Sequence, residues 1–157
     1  MMLRPAREDD IEVLATLNRQ LLDDEGHPSA PPLKELIARH REWFATGEWS
    51  QDILDVEGHV VGYIVHAPNP YPLDPAIPER FIRQFCVDRA YRRHGLGRDG
   101  FELFMEHRVA PGGRVTLDVL ESNPGGQAFW ESVGCRPFFH RMEVRRDVDA
   151  TQNRSET

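Results

Sequence analysis

The sequence is poor in cysteine and has no long apolar run. Two cysteines, Cys86 and Cys135, are too few for a disulfide framework, so we expect both to be reduced. No apolar stretch approaches the length of a membrane span, and the first residues, MMLRPAREDD, bring charge before any apolar segment, unlike a secretion signal. These absences favour a cytoplasmic protein and exclude the membrane as an expected partner.

Other absences restrict the kinds of ligand. The seven histidines include no HExxH motif and no pairing with CxxC, so we predict no metal site. The net charge is −7, whereas general nucleic-acid binding needs a basic face, so nucleic acid is not an expected partner. The chain has no GxxxxGK[ST] motif, which argues against a Walker-type nucleotide hydrolase. The acidic balance would suit a cationic substrate.

The length of 157 residues fits one domain with one hydrophobic core. Hydrophobic periodicity predicts the element order β-α-α-β-β-β-α-β-α-β-β. Because helices alternate with strands in the second half, we expect an α/β (α+β) fold with a mixed central sheet flanked by helices. We assign residues 1–148 to this domain and expect the polar tail, 149–157, to be disordered.

Glycine and proline mark the limits of the predicted elements. Strands are predicted at residues 2–5, 52–56, 60–66, 81–87 and 114–120, with the last strands within 138–145. Helices are predicted from residue 11 to near 26, from the SAPP segment to residue 46, and over 95–108 and 124–133. The proline-rich residues 67–79 should form a loop.

The decapeptide YRRHGLGRDG, residues 91–100, combines bare backbone, positive charge and the start of a helix. Glycine lets a ligand approach the backbone closely, and the first N–H groups of a helix have no intrahelical partner. Together with the helix dipole they form an anion site, which would suit the pyrophosphate of a nucleotide-like cofactor. The alternative is a strand-to-helix turn with a solvated basic rim. The candidate contacts are Arg92, Arg93, His94, Gly95, Leu96, Gly97 and Arg98.

Two segments carry a resemblance to a known family. VDRAYRRHGLG resembles the acyl-CoA-binding signature of the GNAT superfamily of N-acetyltransferases, at Val87, Arg92, Gly95 and Gly97. LDVLESNPGGQAFWESVGC is similar to the second motif of that superfamily, at Asn123, Phe129 and Gly134. LRPAREDDIEVLATL resembles the first strand and helix of the family, so that the match spans about residues 2–146. The chain also resembles an uncharacterised bacterial subgroup of predicted acetyltransferases.

The resemblance implies a GNAT acyl-CoA N-acyltransferase fold and an acetyl-CoA-dependent N-acetyltransferase. The amine of a small or amino-acid-like acceptor would attack the acetyl group directly, and a homodimer would be expected. Two alternatives are a non-catalytic acyl-CoA-binding module or sensor and a protein N-terminal or lysine acetyltransferase. The resemblance places further cofactor contacts along a strand and near the thiol end, at Phe85, Cys86, Val87, Asn123, Phe129 and Trp130.

The direct transfer requires a base, and we predict Asp118, with Glu121 as the second candidate. Asp118 falls inside the predicted strand 114–120, where a carboxylate is costly to bury unless it is paired or hydrated. Pairing with a nearby arginine is the alternative explanation. Trp130 stands where many relatives have a proton-donating tyrosine, and indole cannot donate a proton in that way. The acid therefore remains unassigned, with Tyr91, Cys86 and Cys135 conceivable.

The acceptor site has two conflicting signals. Asp24, Glu25 and His27 end the first helix and could attract an amine, although such residues are usually solvated. Arg83 and Gln84 lie on the predicted cofactor strand, where Arg83 would instead favour an acceptor carboxylate. The two signals indicate different substrates, and the sequence does not choose between them.

Overall fold

The computed structural model describes residues 1–148, which form a five-stranded sheet with helices on both faces. The strands are β1 (Met2–Pro5), β2 (Ser50–Val56), β3 (His59–Pro68), β4 (Glu79–Val87) and β5 (Arg114–Leu117). The helices are α1 (Ile11–Asp24), α2 (Leu33–Thr46), α3 (Leu96–Arg108) and α4 (Pro124–Ser132), with short 3₁₀ helices at Glu8–Asp10 and Arg89–Tyr91. The predicted disordered tail, 149–157, lies outside the described residues.

The sheet order is β1-β2-β3-β4-β5, and only the last of its four pairings is parallel. Antiparallel neighbours can be joined by a turn, whereas a parallel pair needs a crossover, and α3 provides it between β4 and β5. The mixed sheet flanked by helices confirms the predicted fold class.

Each face of the sheet has its own hydrophobic cluster. Buried residues from α1, α2 and three strands form one cluster, made of Leu14, Leu17, Trp43, Ile53, Tyr63, Val65 and Cys86. On the opposite face the strands pack against α3, with α4 at the margin, through Leu54, Val61, Ile64, Ile82, Phe101 and Phe104. The helix α1 buries Ile11, Leu14, Ala15, Leu17 and Asn18, which form one face of an amphipathic helix.

A buried ionic network joins the C-terminal end of α3 to the sheet. Arg108 donates two hydrogen bonds to the Asp52 carboxylate, from Nε at 2.9 Å and Nη2 at 2.8 Å. His66 Nε2 lies 2.6 Å from Asp52 Oδ2, and Arg80 Nε donates to His66 Nδ1 at 3.1 Å. Because Nδ1 accepts, the proton on Nε2 must point at Asp52. The network fixes β2, β3, β4 and α3 relative to one another.

Two predicted elements at the C-terminal side are wrong. The strand predicted to run to residue 120 ends at Leu117, and residues 136–147, which were expected to contain the last strands, form no strand. Alternating apolar residues there remain largely exposed, with Phe138 at 52% and Val144 at 94%, so burial does not stabilise strand pairing. Across residues 1–148, no helix is long and apolar enough to cross a membrane.

Candidate functional site

The sheet opens between β4 and β5. The two strands pair from Glu79 opposite Arg114 to Ile82 opposite Leu117, where β5 ends, whereas β4 continues to Val87. Beyond Ile82, β4 is therefore paired with β3 alone within the described chain. The result is an open strand edge in the interior of the fold, with unpaired backbone donors and acceptors.

A bulge lies at the start of this opening. Gln84 is opposite Val65 and Ile82 is opposite His66, so Arg83 has no partner on β3. An extra residue of this kind bends a strand and increases its local twist. The bulge coincides with the last β4–β5 pair, and this bend accounts for the separation of the two strands.

The backbone of β4 is oriented for a ligand in the opening. The Asp88 N–H donates to the Val61 carbonyl at 2.8 Å, which makes Val87 and the opposite Gly62 a non-hydrogen-bonded pair of the antiparallel ladder. The N–H and carbonyl of Val87 therefore point away from β3, and by alternation those of Phe85 do too. An extended ligand in the opening would meet these groups as an added strand would.

The N-terminus of α3 lies at the end of this opening. Gly95 is the N-cap residue, its φ is +76°, and no side chain caps the helix. The first helical bond there runs from the Asp99 N–H to the Gly95 carbonyl at 3.1 Å. The preceding N–H groups of the helix, at Leu96, Gly97 and Arg98, have no backbone partner in the described chain. They form the positive end of the helix dipole and could hold an anion.

The basic residues of the loop have different surroundings. Arg92 Nε donates to the Val87 carbonyl at 2.8 Å, and its Nη2 lies 2.6 Å from Asp24 Oδ2. Arg98 Nη2 donates to the Ser132 carbonyl at 2.6 Å. Arg93 and His94 are exposed and, within residues 1–148, make no side-chain hydrogen bond or ion pair. Of the predicted pyrophosphate contacts, these two side chains are the ones left available.

Aromatic rings form one wall of the opening. The rings of Phe85 and Phe129 stack at 5.6 Å, and Trp130 meets Phe85, Phe101 and Phe129 edge to face. Phe129 also packs on the start of α3, because a Cβ added to Gly97 would lie 2.9 Å from Phe129 Cε2. These contacts bring three predicted cofactor residues together and give Trp130 a packing role.

Asn123 supports this wall through the backbone of α4. Its side-chain oxygen accepts from the Gly126 N–H at 3.0 Å, so Asn123 is the N-cap of α4. The role seen in the structure is therefore to start the helix that carries the aromatic wall.

The end of α1 is joined to residues 88–95, the loop that precedes α3. Asp24 accepts from Arg89 at 2.9 Å as well as from Arg92. Burial opposes ionisation of Asp24, but the two arginines outweigh it and hold the pKa of this carboxyl below its usual value. Asp24, predicted as a substrate contact, is thus already engaged in an ion-pair cluster.

Glu25 has the opposite character. It is half-buried, and its carboxylate makes no hydrogen bond or ion pair within the described chain. Burial raises the pKa of Glu25, with a smaller upward effect from Asp24 and an opposing one from His27. The Ser122 hydroxyl donates to the Glu25 carbonyl at 3.5 Å, which places this residue beside the loop after β5. His27 is exposed.

Gln84 continues into a buried polar chain. It accepts from the Tyr63 hydroxyl at 3.0 Å and lies 3.4 Å from Asn18 Oδ1 through its own amide nitrogen. Asn18 in turn contacts His40 Nε2 at 3.1 Å, and His40 Nδ1 lies 2.5 Å from Gln51 Oε1. Burial lowers the pKa of His40, while the hydrogen bond with Gln51 opposes this shift. Gln84 is thereby fixed in position beside the opening.

The predicted acid–base residues do not lie on β4 or β5, the two strands that flank the opening. Asp118 lies beyond the end of β5, and its side chain is 43% exposed and pairs with Arg141 at 3.0 Å. The premise that Asp118 occupies a mid-strand position is therefore wrong, and the arginine pairing considered as the alternative is what the structure contains. Glu121 is exposed in the loop before α4.

Cys86 is unsuited to proton transfer. It is 3% exposed, and its thiol donates to the Leu17 carbonyl at 3.5 Å. Burial raises the pKa of Cys86 to about 12. Burial also raises the pKa of Cys135. The backbone N–H and carbonyl of Cys86 point toward β3, by the same alternation that turns those of Phe85 and Val87 away, so the predicted cofactor contact of Cys86 is not supported by its thiol or by its backbone. No group of three or more His, Cys, Asp or Glu side chains that could hold a metal ion occurs within residues 1–148.

The sequence interpretation missed the bulge and the surroundings of Arg83, which stacks on Trp43 and Trp49. A signal was present: in FIRQFC the apolar residues are neighbours in pairs rather than alternating. That spacing is typical of a strand with one extra residue between two regular stretches.

Comparisons with known proteins agree with this geometry. Residues 13–135 match the model of the acetyltransferase (GNAT) family. A mutant of the BH1408 protein from Bacillus halodurans is 26% identical, with 93% of this chain and 99% of that chain covered and a TM-score of 0.72.

Two clostridial structures share the fold at lower identity. A possible acetyltransferase from Clostridium difficile 630 is 20% identical, with coverage of 94% and 97% and a TM-score of 0.75. A predicted acetyltransferase with acetyl-CoA from Clostridium acetobutylicum is 17% identical, with coverage of 92% and 95% and a TM-score of 0.69. A search of curated proteins finds no match.

Proposed function

The chain belongs to the acetyltransferase (GNAT) family, and on that premise we propose that it transfers an acetyl group from acetyl-CoA to the amine of a small or amino-acid-like acceptor. One observation carries the proposal: the pairing of β4 with β5 stops at Ile82, and the uncapped start of α3 lies at the far end of the opening. The structural relative from Clostridium acetobutylicum, which contains acetyl-CoA, supports the choice of cofactor.

The residues present fit an acyl-CoA. The N–H and carbonyl of Phe85 and the N–H of Val87, whose carbonyl already accepts from Arg92, suit the amide-containing pantetheine arm, which can pair like a strand. The unpaired N–H groups at the start of α3 suit the pyrophosphate, with Arg93 and His94 as available charged or polar side chains. Gly97 must remain small, since Phe129 occupies the space that a Cβ would need.

Acetyl-CoA would supply an acetyl thioester. A neutral amine would attack its carbonyl carbon, the C–S bond would break, and the CoA thiolate would leave and take up the proton released by the attacking nitrogen. An N–H of β4 that points into the opening can polarise the thioester carbonyl, as an oxyanion-hole donor does. Phe85 offers such a group beside the bulge. The aromatic wall of Phe129 and Trp130 would exclude water from the thiol end.

A carboxylate must accept the proton that the ammonium form of the acceptor loses. Asp118 and Glu121 remain proposed candidates, although Asp118 would have to leave Arg141. Glu25 is a third candidate, because it is half-buried, unpaired in the described chain and has a raised pKa. A raised pKa makes a carboxylate a stronger base at neutral pH.

The cofactor assignment is tested by Gly95→Asp, with Gly112→Asp as the matched control. Both glycines have φ near +77° and no atom within 4 Å of an added Cβ, so the backbone strain is comparable. Only Gly95→Asp places a carboxylate at the start of α3. Acetyl-CoA at about 100 times its Kd should stabilise the native protein by about 2.7 kcal/mol, and this thermal shift should disappear in Gly95→Asp and persist in Gly112→Asp. Equal shifts in both variants would contradict the assignment.

Release of CoA with an amine panel then separates catalysis from simple binding. A thermal shift without CoA release would favour the acyl-CoA-binding module, for which the tryptophan at position 130 is the supporting feature. Acetylated protein in a lysate would favour the protein N-terminal or lysine acetyltransferase. ATP should produce little shift, because no nucleotide-hydrolase loop is present in the sequence.

A further inference from the structure

The face of β4 toward α1 and α2 carries an arginine without a counter-ion. The guanidinium carbon of Arg83 lies 5.1 Å from the ring centre of Trp43 and 5.0 Å from that of Trp49. Arg39 approaches the same Trp43 ring, with its guanidinium carbon at 6.0 Å. Within residues 1–148, neither arginine makes a hydrogen bond or an ion pair. Two cations thus share one indole ring with no paired anion.

Arg83 is an exposed residue, so its guanidinium remains open to an anion from solvent. Partial desolvation lowers the pKa of Arg83, the charge of Arg39 lowers it further, and Glu48 opposes the shift. The chain has 26 acidic residues against 19 basic ones, so an unpaired pair of arginines runs against its overall balance. The two indole rings also hold the Arg83 guanidinium in place, which reduces the entropy lost when an anion binds.

Arg83 is also located where an acceptor would enter. It is the bulged residue that directly follows Ile82, the last β4 residue paired with β5. Phe85, whose backbone faces the opening, is two residues further along, which is about 6.6 Å in a strand. An anion bound at Arg83 would therefore lie within the length of a small molecule from the point of acyl transfer.

We propose that Arg83, assisted by Arg39, binds a carboxylate of the amine acceptor, so that the substrate class is an amino acid or similar compound that carries both an amine and a carboxylate. This inference rests on the proposed acetyl transfer. The planar guanidinium fork matches a carboxylate through two parallel N–H···O bonds. The Trp43 and Trp49 rings would provide apolar contact for the rest of the acceptor. The neighbouring Gln84, fixed by Tyr63, lies on the same face.

The kinetic test uses acceptors that differ in one group. CoA release is measured at saturating acetyl-CoA with amino acids, with their carboxamides and with aminoalkyl phosphates. Arg83→Gln should raise KM for the amino acids about 10- to 100-fold, the loss expected for one charge-assisted contact, with kcat nearly unchanged. The carboxamides should show no such change. Arg83→Lys should give an intermediate loss, and Arg41→Gln, on an exposed arginine of the same helix as Arg39, should behave like the wild type.

The acceptor that the protein prefers identifies the chemical group that Arg83 binds. Use of carboxamides as readily as amino acids, or an Arg83→Gln variant with unchanged KM, would overturn the proposal while leaving acetyl transfer intact. A preference for the aminoalkyl phosphates would also overturn the assignment to a carboxylate.

A binding test separates this proposal from the proposed function. N-acetylglycine is titrated against the full chain while tryptophan fluorescence is followed, with N-acetylglycinamide as the uncharged control. Saturable quenching by N-acetylglycine alone, weakened at least 10-fold in Arg83→Gln, would support the carboxylate site even if no CoA were released. Failure of acetyl-CoA to bind would then count against acetyl transfer only. Equal titrations in wild type and Arg83→Gln would refute the site.

Discussion

Replacing Asp52 with asparagine should remove the charge at the centre of the network that holds α3 on the sheet. The carboxylate is 4% exposed and accepts from His66 on one oxygen and from Arg108 on both. An amide has only one accepting oxygen, and its NH2 group would face another donor. Asp52→Asn therefore breaks at least one charge-assisted bond and leaves the Arg108 charge unpaired at that site.

The size of the effect follows from the pKa of Asp52. Burial raises it, but the hydrogen bonds from His66 and Arg108 outweigh burial and lower it from 3.8 to about 2. That difference corresponds to about 2 kcal/mol of stabilisation by the ionised form. Breaking a buried ion pair by removal of one partner costs about 3–5 kcal/mol. Because Arg108 is 26% exposed and can reach water, we expect the loss to be about 2–4 kcal/mol.

The pH dependence has a definite sign. The folded-state pKa of Asp52 is below the unfolded value, so its stabilisation is complete above about pH 4 and is lost as the pH falls toward 2. The free energy of unfolding, measured by urea denaturation, should therefore differ most between wild type and Asp52→Asn near neutral pH. The difference should shrink as the solution is acidified from pH 5 to the lowest pH at which the protein stays folded.

The matched control is Asp9→Asn, an exposed residue whose carboxylate makes no hydrogen bond or ion pair within residues 1–148. It should change the free energy of unfolding by less than about 0.5 kcal/mol. The Asp52 and His66 pair resembles a catalytic dyad but lies far from the opening, because Arg108, which binds Asp52, is at the opposite end of α3 from Gly95, about 20 Å along the helix. A loss below 0.5 kcal/mol, or a difference that is independent of pH, would refute this account of the network.

Two further predictions concern the opening. Glu25→Gln should stabilise the folded protein slightly at pH 7, by less than about 1 kcal/mol. The reason is that the pKa of Glu25 is raised, so its ionised form destabilises the native state above about pH 4.5. In urea titrations the gain should vanish below that pH, and the control Glu42→Gln, on an exposed residue, should show no such gain. Trp130→Ala should lower the free energy of unfolding by about 3 kcal/mol because it empties the space between Phe85, Phe101 and Phe129. Trp130→Phe should keep most of the stability and should keep the rate of CoA release within a few-fold. A complete loss of CoA release in Trp130→Phe would show that the indole N–H has a chemical role.

Much of the architecture could be predicted because it depends on local signals. Gly95 and Gly97 ahead of an apolar helical pattern correctly predicted the start of α3, and Asn123 before Pro124 correctly predicted that of α4. Capping and backbone freedom act within a few residues, so one sequence is enough to detect them.

The parts that could not be predicted depend on pairing between distant segments. No sequence pattern after Leu117 indicates the end of β5, because the alternation of apolar and polar residues continues through Val119. The contact of Arg83 with Trp43 and Trp49 joins residues 40 and 34 positions apart and requires both the bulge and the packing of α2. Similarly, the ion pair of Asp24 with Arg92 could not be distinguished from two solvated charges.

The unpaired Arg83 in β4 also determines how this strand can change during evolution. Substitutions alter one side chain at a time, but deletion of Arg83 or Gln84, which both point toward the same face, would remove the bulge and restore regular alternation while leaving the other side chains on their present faces. The strand β4 would then lose the bend at which it separates from β5. The length of β4 is therefore more constrained than its composition. Libraries aimed at changing the acceptor should vary residues 83 and 84 without altering the length of the strand.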